Sequence, residues 1–130
     1  MSKIIGIVGS RRRNSYADYI ICRSKFKEIY EEGDSIVSGG CKKGGDLFAE
    51  VIAKRYDIPI IVHLPNKNDL NKELLKINPR AAFAIINYAR NDLIAQDADI
   101  LIAIVAEDRK GGTEDTIKKA IKLGKQIILC

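Results

Sequence analysis

Two glycine-rich turns carry the residue types that suit the binding of an anion. The first, Ser38–Asp46, follows an apolar run and contains Gly39, Gly40 and Gly44. Glycine permits tight and left-handed backbone, and the free N–H groups at the start of a helix attract phosphate or carboxylate. The pattern predicts a place where backbone approaches a nucleotide-like ligand. On its own it is equally compatible with an ordinary strand-to-helix loop.

A second turn of the same kind is Ala106–Thr116. Thr113 is placed to cap the helix that follows, and Gly111 and Gly112 leave backbone donors exposed. Turns that follow the strands of a parallel sheet meet at the carboxyl edge of that sheet. We therefore expect both turns to border one pocket.

The basic cluster Arg11–Arg13 directly follows Gly9 and Ser10, at the end of the first predicted strand. The formal charge of the chain is +5, which keeps nucleic acid open as a partner because basic surfaces gain affinity by releasing counterions. The lysines, however, alternate with acidic residues as on a solvated face. We favour a small-molecule phosphate at this strand end, where open sheets bind ligands.

Arg90 is a charged residue in an apolar position. A helix predicted over Ala81–Gln96 places it on the same seam as Phe83 and Leu93, which we expect to face inward. A buried guanidinium needs a counterion or a bound anion, since unpaired burial of charge is costly. Two explanations stay open: contact with an anionic ligand, or a structural salt bridge with Asp46.

The cysteines and the single histidine give little sign of metal chemistry. Cys22, Cys41 and Cys130 have spacings that fit neither a disulfide framework nor a metal site, so reduced thiols are expected. Cys41 stands at a predicted helix start beside lysine, a setting that favours a reactive thiolate, although no partner for thiol catalysis is evident. His63 is expected to pack or to contact a ligand rather than to bind a metal.

Short Ile- and Val-rich runs alternate with longer amphipathic stretches, which is the pattern of a parallel sheet covered by helices. We predict a three-layer α/β fold with a mostly parallel five-stranded sheet. Helical spacing predicts two buried stripes. The predicted strands are Lys3–Val8, Ser35–Ser38, Ile58–Leu64, Ile100–Val105 and Gln126–Leu129, and the stripes are Tyr19, Cys22, Phe26 and Ile29, then Phe48, Val51, Ile52 and Tyr56.

Length and composition favour one globular domain over residues 1–130, because 46% of the residues are hydrophobic and 30% are charged. No apolar run approaches the roughly 20 residues of a membrane span, and no signal peptide is recognisable. We therefore expect a cytoplasmic protein without a membrane partner. Because no helix follows the last predicted strand, uncovered faces favour a homodimer.

The segment Pro65–Pro79 is polar and has no clear period beyond a short turn around Leu74. Long loops of this kind close over ligands or decorate the surface. We predict an irregular loop here, and both roles stay open.

Several motifs along nearly the whole chain keep a characteristic order. They are Gly9–Arg11, Ser38–Cys41, Gly44, Asp46–Glu50, Tyr88–Asn91, Ala98–Ala103 and Gly111–Thr113. Together they resemble the SLOG superfamily, and most of all its small stand-alone domains related to the SMF/DprA DNA-processing proteins. The LOG cytokinin-activating phosphoribohydrolases are more distantly similar.

The resemblance implies a Rossmann-like fold that binds a nucleotide or a nucleotide-derived small molecule at the carboxyl edge of the sheet, as a sensor or carrier. No cofactor and no metal are predicted. The ligand-binding residues expected from the motifs are Gly9, Ser10, Arg11, Ser38, Gly39, Gly40, Gly44, Asp46, Arg90, Asn91, Gly111, Gly112 and Thr113.

Enzymatic turnover is left open by the same resemblance. LOG hydrolases carry a PGGxGTxxE motif, and alignment on its GT places Thr116 where the catalytic glutamate stands. Glu114 and Asp115 are the candidate catalytic residues for an N-glycosidic hydrolase or transferase acting on nucleoside monophosphates, since carboxylates act as acids and bases. Binding of single-stranded DNA is a third alternative, disfavoured because few aromatic residues are placed to stack bases.

Overall fold

The computed structural model describes residues 2–130 and has the predicted α/β architecture, a five-stranded parallel sheet with helices against both faces. No helix in this part of the chain combines the length and the apolar character that crossing a bilayer requires. The strands are β1 Ile4–Gly9, β2 Ser35–Ser38, β3 Ile60–Val62, β4 Ile100–Ile104 and β5 Gln126–Leu129; the helices are α1 Tyr16–Ile29, α2 Gly45–Tyr56, α3 Lys72–Ile77, α4 Pro79–Asp97 and α5 Gly112–Lys122, with a short 3-10 helix at Lys67–Asp69.

The strands form at the predicted Ile- and Val-rich runs, and β2 and β5 have the predicted bounds. β4 is buried along its whole length, which explains its uninterrupted apolar sequence. β3 is shorter than the predicted Ile58–Leu64. The amide of Ile58 donates to the carbonyl of Ala53 at the end of α2, and Pro59 has no N–H, so sheet pairing begins only at Ile60.

The sheet has the strand order β3-β2-β1-β4-β5, and all neighbouring strands are parallel. The chain moves outward from β1 to β3 and then returns across the sheet to β4. In open α/β sheets the crevice outside the carboxyl ends of the strands at this reversal is the usual ligand site. The turns that follow β1 and β4 therefore face each other across such a crevice.

Each face of the sheet has its own apolar core. One cluster packs α1 and α2 against the sheet, and its helix residues include the predicted Tyr19, Cys22 and Phe26. Val51 was expected in the second stripe, but it is 41% exposed, whereas Ala49 and Ala53 are buried in its place. The other cluster packs α4 and α5 against the opposite face.

The predicted inward seam of α4 is wrong at two positions. Phe83 and Leu93 are 43% and 44% exposed, respectively, while Ile86 is buried. The face of α4 that packs against the sheet is rotated from the predicted seam and includes Ile94 and Ala95. Phe83 instead lines a cavity, and Leu93 is exposed without lining it; periodicity alone cannot separate such positions from the core stripe.

The predicted irregular loop Pro65–Pro79 is also wrong, since it contains the 3-10 helix and α3. Its asparagines are helix caps: Asn66, Asn71 and Asn78 each accept a hydrogen bond from a backbone amide of the helical turn that follows. Asparagine is favoured at this position because its side-chain oxygen satisfies an otherwise unpaired amide. The polar composition that suggested a loop therefore reflects the N-caps of three consecutive helices.

Asp34 ties the start of β1 to the start of β2. Its buried carboxylate accepts hydrogen bonds from the amide of Lys3 at 2.9 Å, the ammonium of Lys3 at 2.6 Å and the amide of Glu31 at 2.9 Å. Burial alone would raise the pKa of Asp34, but these hydrogen bonds outweigh burial and hold the pKa below its ordinary value. The carboxylate therefore stabilises the fold at neutral pH.

We expect Asp34→Asn to lower the free energy of unfolding by about 2 kcal/mol at pH 7, because charge-assisted hydrogen bonds are lost. A depressed folded-state pKa stabilises the protein above the unfolded pKa, and this contribution disappears as the pH falls through the folded value. Urea unfolding at pH 7 and pH 3 should show a difference between variant and wild type that shrinks in acid. Glu31→Gln, at an exposed partner of Lys3, is the control expected to change little. Equal stability of Asp34→Asn and wild type at pH 7 would contradict this role.

Candidate functional site

A cavity of about 600 Å³ opens at the carboxyl edge of the sheet, between the turns that follow β1 and β4. Helix α4 forms one wall of the cavity. The carboxyl end of β1 and the first turn of α2 form its floor. Nine of the thirteen predicted ligand-binding residues line it: Gly9, Ser10, Arg11, Asp46, Arg90, Asn91, Gly111, Gly112 and Thr113.

The arginine cluster after β1 divides into three roles. Arg11 is exposed and lines the cavity. Arg12 also lines the cavity but forms a bidentate pair with Asp108, at 2.9 and 2.6 Å, which holds the pKa of Asp108 below its ordinary value. Arg13 is structural, because it pairs with Asp18 and donates to the carbonyls of Val105 and Cys130, just after β4 and β5. Only two of the three arginines therefore face the cavity.

Asp46, in the first turn of α2, and Arg90, on α4, both approach Gly39 in the turn after β2. A Cβ added to Gly39 would lie 2.7 Å from Asp46 Oδ2 and 2.8 Å from Arg90 Nη1, so a side chain there would displace one or both of these groups. Asp46 accepts a hydrogen bond from the Cys41 amide at 3.1 Å, and its Oδ1 lies 3.0 Å from the Ser38 hydroxyl, whose single proton is shared with the Ile7 carbonyl at 2.5 Å. Ser38 is buried beneath the cavity and acts through Asp46 rather than at the surface.

Arg90 is half-buried and is held by neutral acceptors. Its Nη1 donates to the Gly39 carbonyl at 2.7 Å, and its Nε donates to Asn91 Oδ1 at 2.9 Å. The salt bridge with Asp46, one of the two explanations for this residue, is absent: within residues 2–130 no carboxylate lies within 4.0 Å of the Arg90 guanidinium. The guanidinium is thus held by neutral acceptors, and the nearby Asp46 carboxylate lies beyond salt-bridge distance.

Gly44 and Gly40 lie outside the main cavity. Gly44 has φ +74°, donates its amide to Asn14 Oδ1 and packs so closely on Ser10 that a side chain would clash with backbone. It sets the position of α2 against the end of β1. Gly40, with φ +81°, borders a neighbouring cavity of about 520 Å³. The residues that line this neighbouring cavity are Arg11, Arg12, Gly40, Cys41, Lys42 and Lys43.

The second glycine turn starts α5 at the cavity. No side chain caps this helix, so the amides of Gly112 and Thr113 remain available to a ligand. Thr116, one turn further along, is 2% exposed and also lines the cavity. The start of α5 therefore presents backbone donors and a hydroxyl group.

The two candidate catalytic carboxylates are held by neighbouring residues. Glu114 forms a bidentate pair with Arg109 at 2.8 and 2.9 Å. Asp115 pairs with Lys119 at 2.9 Å and accepts from Asn91 Nδ2 at 3.1 Å. Neither is among the residues that line the cavity.

The sequence reasoning predicted the α4 wall only in part: Arg90 and Asn91 were expected to bind the ligand, and the other α4 residues that line the cavity were not. The cavity-facing residues of α4 recur every three or four positions, which is the spacing of one helical face. The unpredicted residues add two aromatic rings (Phe83 and Tyr88), the amide of Asn87 and the guanidinium of Arg80 to the site. The signal was present as a second periodic stripe, but the sequence does not say which stripe faces the sheet. The α4 residues that line the cavity are Arg80, Phe83, Ala84, Asn87 and Tyr88, followed by Arg90, Asn91 and Ile94.

The cavity is strongly cationic. Arg11, Arg12, Arg80, Arg90 and Lys110 line it, and Asp46 is the one carboxylate among the lining residues. Of these five cations, Arg12 alone has a carboxylate partner within 4.0 Å in residues 2–130. Such a concentration of unpaired positive charge attracts anions.

Metal ligands and reactive thiols do not cluster in the described residues. No group of three or more His, Cys, Asp or Glu side chains is placed to hold a metal ion. Cys22 is buried, and burial raises the pKa of its thiol to about 12. His63 Nε2 lies 2.6 Å from Asp97 Oδ2, and neither residue lines the cavity.

Comparison with known proteins gives one structural match. The chain is similar to the molybdenum cofactor binding protein from the phototrophic bacterium Rippkaea orientalis, with a TM-score of 0.71 and 26% sequence identity. The match covers 99% of this chain and 76% of that one. No protein family and no curated protein sequence matches the chain.

Proposed function

We propose that the cavity binds a phosphorylated, nucleotide-derived small molecule and holds it as a carrier or sensor. The observation that carries this proposal is the convergence of five cations from three separate parts of the chain on one cavity, at the point where the strand order reverses. The uncapped start of α5 adds backbone donors of the kind that bind phosphate. The α4 wall offers Phe83 and Tyr88 as flat apolar surfaces for a heterocyclic ring.

The structural match supports the same class of ligand. The protein from Rippkaea orientalis binds molybdenum cofactor, which is a phosphorylated pterin derivative, and its fold covers nearly all of this chain. A phosphate and a flat nitrogen heterocycle are also the two parts of a nucleotide. The cationic rim and the aromatic wall fit both kinds of molecule.

Holding the ligand is favoured over cleaving it. Glu114 and Asp115 are engaged by Arg109 and Lys119 and do not line the cavity. The position that the LOG motif gives to a catalytic glutamate is Thr116, whose hydroxyl cannot act as a general base at neutral pH. The residues that do line the cavity supply positive charge and hydrogen bonds, and the one carboxylate among them, Asp46, is held by the Ser38 hydroxyl and the Cys41 amide.

Thermal unfolding tests this proposal with a panel of GMP, AMP and neopterin monophosphate. At a ligand concentration near 100 times Kd, binding to the native state adds about 2.7 kcal/mol, enough to raise Tm by roughly 5 °C or more. We expect such a rise with at least one of the three compounds, smaller at high salt, and recovery of the compound intact by chromatography. Guanosine, which lacks phosphate, is the matched control and should shift Tm less than GMP. No rise with any phosphorylated compound would refute the proposal.

A further inference from the structure

Asp46 is an unusual residue to find among the cations of this cavity. Its side chain is 8% exposed, and both of its protein partners, the Ser38 hydroxyl and the Cys41 amide, are neutral. No lysine or arginine in residues 2–130 lies within 4.0 Å of its carboxylate. A carboxylate offers about four acceptor positions, so about two remain for a ligand.

The sign of this charge determines which part of a ligand it meets. A phosphate placed against Asp46 would be repelled, so the phosphate belongs with the cations and backbone donors at the start of α5. The end of the cavity at Asp46 instead suits a neutral group with several N–H donors. Arg90, on the other side of Gly39, adds donors beside this acceptor.

We propose that Asp46 and Arg90 together recognise the 2-amino-4-oxopyrimidine edge that guanine and pterin rings share. This inference rests on the proposed function, because it assumes a phosphorylated heterocycle in the cavity. Asp46 accepts hydrogen bonds from the ring N–H and the 2-amino group, and Arg90 donates to the adjacent ring oxygen. Adenine presents an unprotonated ring nitrogen at the same place, which a carboxylate repels.

The local structure prepares this pair before a ligand arrives. The Ser38 hydroxyl and the Cys41 amide fix the Asp46 carboxylate, while the Gly39 carbonyl and Asn91 Oδ1 fix the Arg90 guanidinium. Groups that are already oriented lose little conformational entropy when the ligand binds. The arrangement also joins the two ligand classes considered above, since a guanine nucleotide and a phosphorylated pterin present the same edge.

Isothermal titration of the full chain with GMP and IMP tests the inference, because the two nucleotides differ only in the 2-amino group. We expect IMP to bind at least about 10-fold more weakly than GMP, since a hydrogen bond to a charged group is lost. AMP should bind more weakly still. In Asp46→Asn the GMP and IMP affinities should converge to within about 3-fold. A purely structural role of Asp46 would lower both affinities and leave their ratio unchanged.

The outcomes separate this inference from the function on which it rests. Equal affinities of wild type for GMP and IMP, or an unchanged GMP preference in folded Asp46→Asn, overturn the inference and leave phosphate-dependent binding standing. Absence of binding by every phosphorylated compound overturns both. Neopterin monophosphate distinguishes the two candidate rings. Tighter binding than that of GMP supports the inference with a pterin as the ligand's ring. Weaker binding than that of GMP supports it with guanine as the ring. If Asp46→Asn fails to fold, the affinities of the wild-type protein for GMP, IMP and AMP still test the inference.

Discussion

Replacement of Arg90 by glutamine is expected to weaken GMP binding by about 10- to 100-fold, which corresponds to the loss of one or two charge-assisted hydrogen bonds. The wild-type guanidinium is half-buried, oriented by the Gly39 carbonyl and Asn91, and has no carboxylate partner in residues 2–130. The guanidinium forms no salt bridge, so the N–H donors that Gly39 and Asn91 leave free are available to a ligand. Glutamine keeps a polar side chain of similar length but removes the charge. Titration calorimetry at two salt concentrations measures both the affinity and its electrostatic part.

Arg55→Gln is the matched control for this substitution. Arg55 lies in the last turn of α2 and contacts the Tyr56 ring, and it does not line the cavity. The control should bind GMP as wild type does, and both variants should remain folded by circular dichroism. If Arg90→Gln retained wild-type affinity and salt dependence, the guanidinium would have no part in binding and the site would have to lie elsewhere.

The fold could be predicted from the sequence because strand burial leaves a direct trace. Each central strand of a parallel sheet is covered on both faces, so it appears as a continuous Ile- and Val-rich run, and the five runs became the five strands. The exceptions have local causes. β3 is shortened at its start by Pro59, and the asparagines at 66, 71 and 78 suggested a loop where they cap the 3-10 helix, α3 and α4.

The site was only partly predictable, because its contacts join distant parts of the chain. The second glycine-rich turn lines the cavity through Gly111 and Gly112, whereas the first turn reaches it through Cys41 and Asp46 and not through its glycines. No sequence pattern shows that Arg12 pairs with Asp108, 96 residues away, while Arg11 remains exposed. Nor can the period of α4 distinguish Phe83 as a cavity residue from Ile86 as a core residue. Those assignments depend on where the helix lies against the sheet.

Replacement of Gly45 by alanine is expected to lower the free energy of unfolding by about 3 kcal/mol or more, because overpacking against backbone forces structural shifts. Gly45 is the first residue of α2, and a Cβ there would collide with the backbone of Val8 and Gly9 at the end of β1. These neighbours are central to the sheet and cannot move as a flexible side chain would. The close approach of α2 to β1 also fixes the position of Asp46, so the same variant should lose ligand binding. Urea unfolding monitored by circular dichroism gives the free energy.

Gly112→Ala provides the control at an equivalent helix position. Gly112 is the first residue of α5 and, like Gly45, follows a glycine with positive φ, but a Cβ there would have no heavy atom within 4 Å. Alanine should therefore leave the free energy of unfolding within about 0.5 kcal/mol of wild type, as for surface substitutions generally. A similar loss of stability in both variants would contradict this explanation, because it would mean that the first helical position itself requires glycine, whatever the residue contacts. A loss confined to Gly45→Ala would show that stability depends on the close contact of α2 with the end of β1. The same contact positions Asp46, the next residue of α2.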